Sequence, residues 1–177
     1  MGTNFYILDN TAFAAGLNLN ILEEDSATIF LTTPEIIEEA QKNKKSSQML
    51  SIALFQDKIQ LYSPSHSSIS YVKKQAQQSG DIGALSEPDI SILSLAYEWQ
   101  KNNPEAEVLL ISDDYSVQNT AEFLKISFKP LQQDGIRHKI SWEVFCPHCF
   151  RRFSSLQLGK TCPICGAKLK RRRKKEK

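Results

Sequence analysis

The sequence predicts an α/β fold: a parallel sheet flanked by helices, followed by a small metal-stabilised module. Apolar runs of about strand length alternate with segments of helical character along the chain. The runs at residues 5–8, 28–31 and 108–111 are apolar at successive positions, which is typical of strands covered by helices on both faces. The C-terminal region holds four cysteines in two Cys-x-x-Cys pairs.

The remaining elements follow from turn and cap signals. Two further short strands are predicted at residues 58–62 and 127–131. Proline opens two of the predicted helices, and Gly80 ends another. The predicted helices cover residues 34–43, 46–55, 68–78, a segment opened by Pro88, and residues 115–125. The 177 residues therefore divide into an α/β domain at 1–131, a linker at 132–141, a cysteine module at 142–168 and a basic disordered tail at 169–177.

Charge is distributed very unevenly along the chain. Residues 1–136 carry a net charge of −9, whereas residues 137–177 carry +11. A basic terminal module predicts a polyanionic partner, most often a nucleic acid. For the last ten residues, which hold eight basic side chains and one glutamate, a solubilising tail is the alternative. No apolar run approaches the ~18 residues that a membrane helix needs, and no secretory signal is recognisable, so we expect a cytoplasmic protein that does not bind membranes.

The cysteines have the spacing Cys-x2-Cys-x12-Cys-x2-Cys, formed by Cys146, Cys149, Cys162 and Cys165. Two short turns with this spacing can direct four thiolates to one Zn²⁺ ion, and a site filled by four sulfurs is structural rather than catalytic. The alternatives are disulfides, which a cytosolic chain would not normally keep, and a redox dithiol, which would not need two copies. His148 is expected on the surface, because the zinc has no vacancy for it.

Acidic residues follow the predicted strands at the edge where parallel sheets bind ligands. Asp9 ends the first strand, Asp113 and Asp114 end the third, and Asp89 lies in the first turn of the helix opened by Pro88. Glu39 joins them if its helix packs behind the second strand. Carboxylates crowded in one place repel one another and typically hold hard divalent cations. The pattern therefore predicts a Mg²⁺ or Mn²⁺ site.

Each acid also has a purely structural interpretation. Residues 86–89, Ser-Glu-Pro-Asp, form a good capping box, and Asp113 or Asp114 could simply cap the helix that follows. Glu35, Glu38 and Glu39 could be the solvated face of a helix, and periodicity alone does not show which of them turns inward. Asp9 is harder to explain structurally, because a charge directly after an apolar strand suits a functional edge.

In combination, these segments resemble a PIN-domain nuclease. Residues 6–13 (YILDNTAF), 32–39 (TTPEIIEE), 85–90 (LSEPDI) and 111–119 (ISDDYSVQN) match the four motifs of that family. A PIN domain followed by a four-cysteine zinc ribbon is similar to the Nin-one-binding endonucleases, which mature the 3′ end of small-subunit ribosomal RNA. The chain lacks the long insertion of eukaryotic members between the third and fourth motifs, and so resembles the compact archaeal ones.

The resemblance implies roles for particular residues. The catalytic acids fall on Asp9, Glu39, Asp89 and Asp114, with Asp113 as an extra supporting carboxylate. Of these, Asp9, Asp89 and Asp114 are expected to ligate the catalytic Mg²⁺ or Mn²⁺. The family's glutamate falls on Glu39 rather than Glu35 or Glu38, and Ser112 stands where the family often has threonine. The implied reaction is metal-dependent hydrolysis of an RNA phosphodiester that leaves a 5′-phosphate and a 3′-hydroxyl.

RNA binding is expected outside the acidic cleft, because carboxylates repel phosphates. The predicted RNA-binding residues are Arg137, Lys139, Arg151, Arg152, Lys160, Lys170, Arg171, Arg172 and Arg173. Phe150, Phe153 and Trp142 could stack on bases, although packing around the cysteines is as good an interpretation for Phe153 and Trp142. The resemblance implies that the partners are the small-subunit rRNA precursor and the pre-ribosomal particle, together with ribosome assembly factors.

Other functions remain open at this point. A toxin-type PIN ribonuclease would share the acids but normally lacks a zinc ribbon. A non-catalytic pre-ribosomal RNA-binding factor would keep the basic end and tolerate loss of the acids, all of which are present here. Nothing in the sequence visibly reads a 2′-hydroxyl, so a DNA nuclease stays an alternative as well.

Overall fold

The computed structural model describes residues 4–17, 28–132 and 134–174. A five-stranded parallel sheet has the order β3-β2-β1-β4-β5. Its strands are β1 (Asn4–Leu8), β2 (Thr28–Thr32), β3 (Ile59–Leu61), β4 (Glu107–Ile111) and β5 (Ser127–Lys129). All five predicted strands are therefore present. β5 ends before the predicted residue 131, because Pro130 has no N–H with which to continue the ladder.

Helices follow the strands and cover the sheet. They are α1 (Asn10–Ala15), α2 (Pro34–Gln41), α3 (Lys44–Phe55), α4 (His66–Ser79), α5 (Glu87–Asn102) and α6 (Tyr115–Leu124). Helix α1 was not predicted. It is a six-residue helix that is capped by Asp9 and ends at Gly16, which has the left-handed conformation. Helices α3 and α4 begin two residues earlier than predicted, because Asn43 and Ser65 cap them.

The register of the parallel strands places their C-terminal ends at one edge of the sheet. In the central strand, Ile7 pairs with Leu31 of β2, and Leu8 pairs with Ile111 of β4. Successive residues of these strands are buried, which confirms that helices cover both faces. The chain leaves each strand at the same edge, so Asp9, Thr33 and Ser112 lie side by side, and the polar residues that follow are gathered there.

The C-terminal part forms a three-stranded antiparallel sheet of order β7-β6-β8, consisting of β6 (Trp142–Phe145), β7 (Arg152–Phe153) and β8 (Lys170–Arg173). We call residues 142–174 the ribbon. The prediction of a disordered tail from residue 169 is wrong for residues 169–174. Leu169 is buried, β8 pairs along the whole of β6, and Lys174 N–H donates to Ser141 O. Residues 175–177 of the predicted tail lie outside the described residues.

A small core holds the ribbon together. Val144, Leu169 and the cysteines Cys146 and Cys162 are buried, with Phe153 packed beside them. A core this small provides little apolar burial, so a bound metal would contribute much of the folding free energy. Among the helices of the described segments, none is both long and apolar enough to cross a membrane.

Candidate active site and metal centre

Asp9 is the most deeply buried acid at the sheet edge, with 2% of its surface exposed. Its Oδ1 accepts a 2.7 Å hydrogen bond from the N–H of Asn10. Its Oδ2 accepts hydrogen bonds from the hydroxyls of Thr11 (2.8 Å) and Ser112 (2.7 Å). These donors hold the carboxylate in one orientation.

Burial raises the pKa of Asp9 from 3.8 to about 6, even though the hydrogen bonds from Ser112 and Thr11 act to lower it. The negative charge of Asp89 raises the pKa further. A shift of this size corresponds to about 3 kcal/mol of unfavourable free energy when the carboxylate is ionised. A bound cation would offset this cost, and Asp9 is therefore the acid on which a cation would have the largest effect.

Helix α2 contributes Glu39 to the same edge. Asn10 Nδ2 donates a 3.0 Å hydrogen bond to Glu39 Oε1. Glu38 is exposed, and Glu35 accepts a 2.8 Å hydrogen bond from the hydroxyl of Ser91 in α5. Of the three glutamates, Glu39 is thus the one that is hydrogen-bonded to the residue after Asp9. Sequence reasoning did not single out Asn10, whose only signal was its position directly after Asp9.

Asp89 has the structural role that the sequence suggested, and the charges of other acids also act on it. Ser86 N–H and the Ser86 hydroxyl both donate to Asp89 Oδ2, at 2.7 and 2.8 Å, which completes a capping box. Burial raises the pKa of Asp89, and the charges of Asp114 and Glu39 raise it further. The repulsion from Asp114 and Glu39 shows that these acids share one electrostatic environment.

Asp114 is the N-cap of α6. Its Oδ1 accepts hydrogen bonds from the N–H groups of Ser116 and Val117, at 2.6 and 3.2 Å. The N–H of Asp114 itself donates to the hydroxyl of Ser112 at 3.1 Å. Asp114 is therefore fixed in place by the helix that it caps and by the same serine that holds Asp9.

Asp113 has a different environment from the other acids. Its Oδ1 accepts hydrogen bonds from the N–H groups of Leu131 (2.8 Å) and Gln132 (3.1 Å), and its Oδ2 accepts a longer one from Gln132. The carboxylate thus fastens the chain that leaves β5. These hydrogen bonds give Asp113 an anchoring role, and its supporting role in catalysis stays a prediction.

The acidic cluster provides the ligands that a hard divalent cation requires. Carboxylate oxygens are the preferred ligands of Mg²⁺ and Mn²⁺. Asn10 Oδ1 is buried without a hydrogen-bond partner in the described part of the chain, and so adds a neutral oxygen acceptor next to Glu39. Among the described residues, only the cysteines bring three or more ligand atoms within 4.8 Å of one another.

The cysteine sulfurs form a tight cluster. Those of Cys146, Cys149, Cys162 and Cys165 all lie within 4.8 Å of one another. The closest pairs are Cys146 with Cys165 at 3.3 Å and Cys149 with Cys162 at 3.7 Å, and all four cysteines are free. Burial acts to raise the pKa of Cys146, but N–H groups of Cys149 and His148 lower it to about 6, which favours the thiolate. Four sulfurs at this spacing fit a tetrahedral metal site, and His148 is exposed as expected.

One face of the ribbon sheet is basic. Directly paired residues of an antiparallel sheet share a face, so Arg152, Lys170 and Arg172 lie on the same side as Glu143 and Phe145. Glu143 lies between two of these arginines, 3.1 Å from Arg152 Nε and 2.7 Å from Arg172 Nε. The Arg172 guanidinium stacks 4.3 Å from the centre of the Phe145 ring. This face combines guanidinium groups with an aromatic ring, as nucleic-acid-binding surfaces do.

Arg171 is placed differently from the RNA-binding role that we had predicted for it. It lies on the opposite face of β8, where its Nη1 is 3.3 Å from Oδ1 of the fully buried Asp81. Its guanidinium also stacks on the Trp142 ring at 4.6 Å. The strand alternation turns this side chain inward, so its charge is used within the protein.

The remaining predicted RNA-binding side chains lie on the surface. Exposed positions are occupied by Arg137, Lys139, Arg151, Lys160 and Arg173. Of the candidate stacking residues, Phe150 is 68% exposed, whereas Phe153 packs against the ribbon core and Trp142 lies under Arg171. Packing around the cysteines is therefore confirmed for Phe153, whereas Trp142 packs against Arg171 instead.

The carboxamides that close the fourth motif tie the linker to the site. Gln118 Nε2 donates to Ser112 O at 2.8 Å, and Gln118 Oε1 accepts from Ile136 N–H at 2.9 Å. Asn119 Oδ1 accepts from Ile140 N–H at 2.6 Å, and Asn119 Nδ2 donates to Ile140 O at 2.8 Å. Sequence analysis missed the structural role of Gln118 and Asn119. The available signal was the presence of two adjacent carboxamides in a predicted helix.

Comparison with known proteins agrees with this geometry. A family profile described as the PIN domain of ribonuclease matches residues 6–99. Endoribonuclease Nob1 of Pyrococcus abyssi is 35% identical over 93% of this chain and 91% of its own length. Endoribonuclease Nob1 of Methanothermobacter thermautotrophicus is 30% identical over 94% and 92%, respectively. Ribonuclease VapC1 of Thermoplasma acidophilum is 31% identical over 97% of this chain and 80% of its own length.

Proposed function

Because the chain belongs to the PIN-domain ribonucleases, and within them to the Nob1 endoribonucleases, we propose that it cleaves the 3′ end of the small-subunit rRNA precursor. It is a metal-dependent ribonuclease, and thus a phosphodiester hydrolase. We further propose that its substrate is single-stranded RNA and that it acts on the pre-ribosomal particle. We propose ribosome assembly factors as its protein partners and the cytoplasm as its location.

One observation carries this proposal: the hydroxyl of Ser112 holds both the buried carboxylate of Asp9 and the backbone of Asp114, and the charge of Asp89 raises the pKa of Asp9 further. Hydrogen bonds from Thr11 and Ser112 hold the Asp9 carboxylate in place despite the repulsion from Asp89. Such an arrangement is costly to folding and is typical of sites that bind a metal during catalysis. A non-catalytic RNA-binding factor would have no need of it.

We propose that Asp9, Asp89 and Asp114 ligate the catalytic cation and that Glu39 completes the site. When bound there, Mg²⁺ or Mn²⁺ would lower the pKa of a water and offset the charge that develops on the scissile phosphate. Thr11 and Ser112 orient the Asp9 carboxylate, and Asn10 orients Glu39. These hydrogen bonds fix the negative charges before a substrate arrives.

No histidine takes part in the proposed mechanism. The three histidines, His66, His138 and His148, are all exposed, and none donates a hydrogen bond to the acidic cluster in the described structure. A histidine-assisted attack by the RNA 2′-hydroxyl would require an imidazole at the scissile bond. The residues favour hydrolysis by water, which leaves a 5′-phosphate and a 3′-hydroxyl.

We propose that the ribbon binds the RNA and that its metal is Zn²⁺. The basic face formed by Arg152, Lys170 and Arg172 provides the positive charge that the acidic cleft lacks. The other exposed basic residues of the linker and ribbon extend this surface. The corresponding division is a nuclease domain at 1–131, a linker at 132–141 and a zinc ribbon that extends beyond residue 168 to include β8.

The test is cleavage of an end-labelled single-stranded RNA that spans a small-subunit rRNA 3′ end, followed on a denaturing gel with Mg²⁺ or Mn²⁺. The wild type should cut this RNA, and Asp9→Asn should not. Asp57→Asn is the matched control, because Asp57 is exposed and lies outside the acidic cluster. The products should carry 5′-phosphates, which a phosphatase and kinase assay detects.

The alternatives give different results in the same assay. Binding without cleavage by the wild type, in every metal tested, would favour the RNA-binding assembly factor. Equal cleavage of an RNA of shuffled sequence would favour the toxin-type ribonuclease. Equal cleavage of the DNA version of the substrate would contradict RNA specificity.

A further inference from the structure

The ribbon is attached to the nuclease domain by an ion pair whose acid is fully buried and whose arginine is partly exposed. Asp81, in the loop between α4 and α5, is 0% exposed, and Arg171 of β8 is the cation nearest to its Oδ1, at 3.3 Å. Asp81 Oδ2 accepts hydrogen bonds from the Ser79 hydroxyl (2.9 Å) and from Asn119 Nδ2 (2.5 Å). A buried charge that loses such a partner is strongly destabilising, so the pair favours the docked arrangement.

Asn119 connects this ion pair to the linker. The same side chain that donates to Asp81 exchanges two hydrogen bonds with the backbone of Ile140, two residues before β6 begins. The Arg171 guanidinium in turn stacks on Trp142, the first residue of β6. We call Asp81, Asn119 and Arg171 the junction network. It joins the nuclease domain, the end of the linker and both long strands of the ribbon.

Close backbone contact beside the network leaves little freedom of orientation. A Cβ atom on Gly80 would lie 2.9 Å from Trp142 Cβ, and one on Gly83 would lie 2.8 Å from Leu158 Cβ. Real Cβ atoms essentially never approach so closely. The α4–α5 loop therefore fits against the ribbon at two points, and it has room there for glycine only.

The junction network lies next to the acidic site. Arg171 Nη2 is 3.5 Å from the hydroxyl of Ser116, whose N–H donates to Asp114 Oδ1 at 2.6 Å. The loop that carries Asp81 leads directly into Ser86 and Asp89. The elements that hold the ribbon are thus the elements that carry two of the proposed metal ligands.

We propose that the junction network is a latch that holds the ribbon in one orientation and thereby sets the distance along the RNA between the ribbon-bound segment and the phosphodiester that is cut. This inference rests on the proposed function, since it concerns where the enzyme cuts. In this role Asp81, Asn119 and Arg171 are positioning residues. They contact neither the RNA nor the metal.

Two substitutions test the latch by different physical routes. Asp81→Asn removes the charge that pairs with Arg171 while it keeps the size of the side chain. Gly83→Ala adds a Cβ that meets Leu158 and the backbone of Ser155, without any change of charge. Asp57→Asn, at an exposed position, is the control. All variants are used as full chains loaded with zinc, and their metal content is measured.

The first readout is ¹⁵N relaxation, which reports how fast each part of the chain tumbles. We expect one rotational correlation time for the whole wild type and for Asp57→Asn, and faster tumbling of the ribbon in Asp81→Asn and Gly83→Ala. The second readout is the distribution of cuts on the labelled RNA. We expect one principal cut by the wild type and cuts spread over neighbouring positions by the latch variants, with total cleavage reduced less than about tenfold.

Several results would overturn the latch. Independent tumbling of the ribbon in the wild type would show that it is not docked. A single unchanged cut by variants whose ribbon tumbles freely would show that docking does not select the position. If the wild type cuts no RNA, the proposed function fails. The latch is then judged separately by relaxation and by the length of RNA that the protein protects from an added nuclease, which should change in Asp81→Asn if the inference holds.

Discussion

The hydroxyl of Ser112 donates a 2.7 Å hydrogen bond to Oδ2 of Asp9, although the two residues are 103 positions apart in the sequence. The same hydroxyl oxygen accepts a 3.1 Å hydrogen bond from the N–H of Asp114. Ser112 thus connects the ends of the neighbouring strands β1 and β4, and it positions two of the proposed metal ligands at once. This relationship predicts what a change at position 112 should do.

Ser112→Ala should impair metal binding more than folding. Without the hydroxyl, Asp9 loses a hydrogen bond that lowers its pKa, and its carboxylate binds a proton more tightly in competition with the cation. We expect the metal concentration that gives half-maximal cleavage to rise about tenfold, the equivalent of one hydrogen bond to a charged group. Ser112→Thr keeps the hydroxyl and should behave like the wild type. An unchanged metal dependence in Ser112→Ala would contradict this role.

Asp9→Asn should make the zinc-loaded protein more stable at neutral pH when no Mg²⁺ or Mn²⁺ is present. The pKa of Asp9 is raised to about 6 in the folded protein, so its ionisation opposes folding. This cost is absent below pH 3.8, grows as the pH rises towards 6, and stays near 3 kcal/mol above that, to within about a factor of two. Asp9→Asn has no ionisable group at this position, so its folding free energy does not include this cost.

The measurement is urea denaturation of both proteins at pH 4.5 and pH 7.5. The stability of Asp9→Asn relative to the wild type should increase between the two pH values, whatever its offset at pH 4.5. A relative stability that is constant or falls would mean that Asp9 does not carry an unfavourable charge. Adding Mn²⁺ at pH 7.5 should stabilise the wild type and leave the variant unchanged.

The sequence predicted the sheet well, because strands buried on both faces are nearly uniform apolar runs. Each of these runs ends at a polar residue such as Asp9 or Ser112, which marks the edge of the sheet. Glu39 could not be separated from Glu35 and Glu38 by pattern, since which face of α2 meets Asn10 depends on how the helix packs. Asp113 was assigned to the site by position alone, and its contacts with residues 131 and 132 appear only in three dimensions.

The ribbon was harder to predict beyond its cysteines. A run such as Lys170–Arg173 has the composition of a disordered tail, and only pairing with β6 makes it a strand. Alternation along that strand then gives Arg171 and Arg172 different roles, one inside the junction and one on the surface. Composition cannot distinguish two adjacent arginines, because the distinction depends on a partner strand.

Removal of the ribbon metal should undock the ribbon and leave the parallel sheet folded. The chain contains two tryptophans, and Trp142 lies in the junction beside Arg171 and Gly80. In a Trp99→Phe background, a zinc chelator should shift the Trp142 emission to longer wavelength, as expected for a ring that becomes exposed to water. Far-UV circular dichroism should retain the signal of the nuclease domain. Unfolding of the entire chain on chelation would contradict the prediction.

Glu143→Gln should tighten RNA binding and increase its dependence on salt. Glu143 pairs with Arg152 and Arg172, and hydrogen bonding and the positive charge of these arginines lower its pKa. Removing the carboxylate charge frees two guanidinium groups for phosphates, each of which adds about one to the slope of log K against log salt. Fluorescence anisotropy at several salt concentrations measures the slope. An unchanged slope would mean that this face does not contact the RNA backbone.

Phe150→Gly should stabilise the ribbon and weaken RNA binding. Phe150 has φ +60° at the tip of the first cysteine turn, where its N–H donates to Cys146 O, and its ring is 68% exposed. A left-handed backbone costs a residue with a side chain about 1 kcal/mol, so glycine would relieve strain at this position. The strained backbone and the exposed aromatic ring are both unfavourable for folding. Stacking of the ring on a base would account for the presence of Phe150. Loss of one stack corresponds to about tenfold in affinity.

Two further variants separate strain from stacking at position 150. Asn tolerates the left-handed conformation without offering a ring, so Phe150→Asn should resemble Phe150→Gly in both stability and affinity. Phe150→Tyr keeps the ring and the strain, and should resemble the wild type in both. Thermal unfolding of the zinc-loaded protein and anisotropy with a short single-stranded RNA provide the two measurements. If Phe150→Gly binds RNA as tightly as Phe150→Tyr, the ring serves another purpose, and the stacking surface of the ribbon is limited to Phe145 and its partner Arg172.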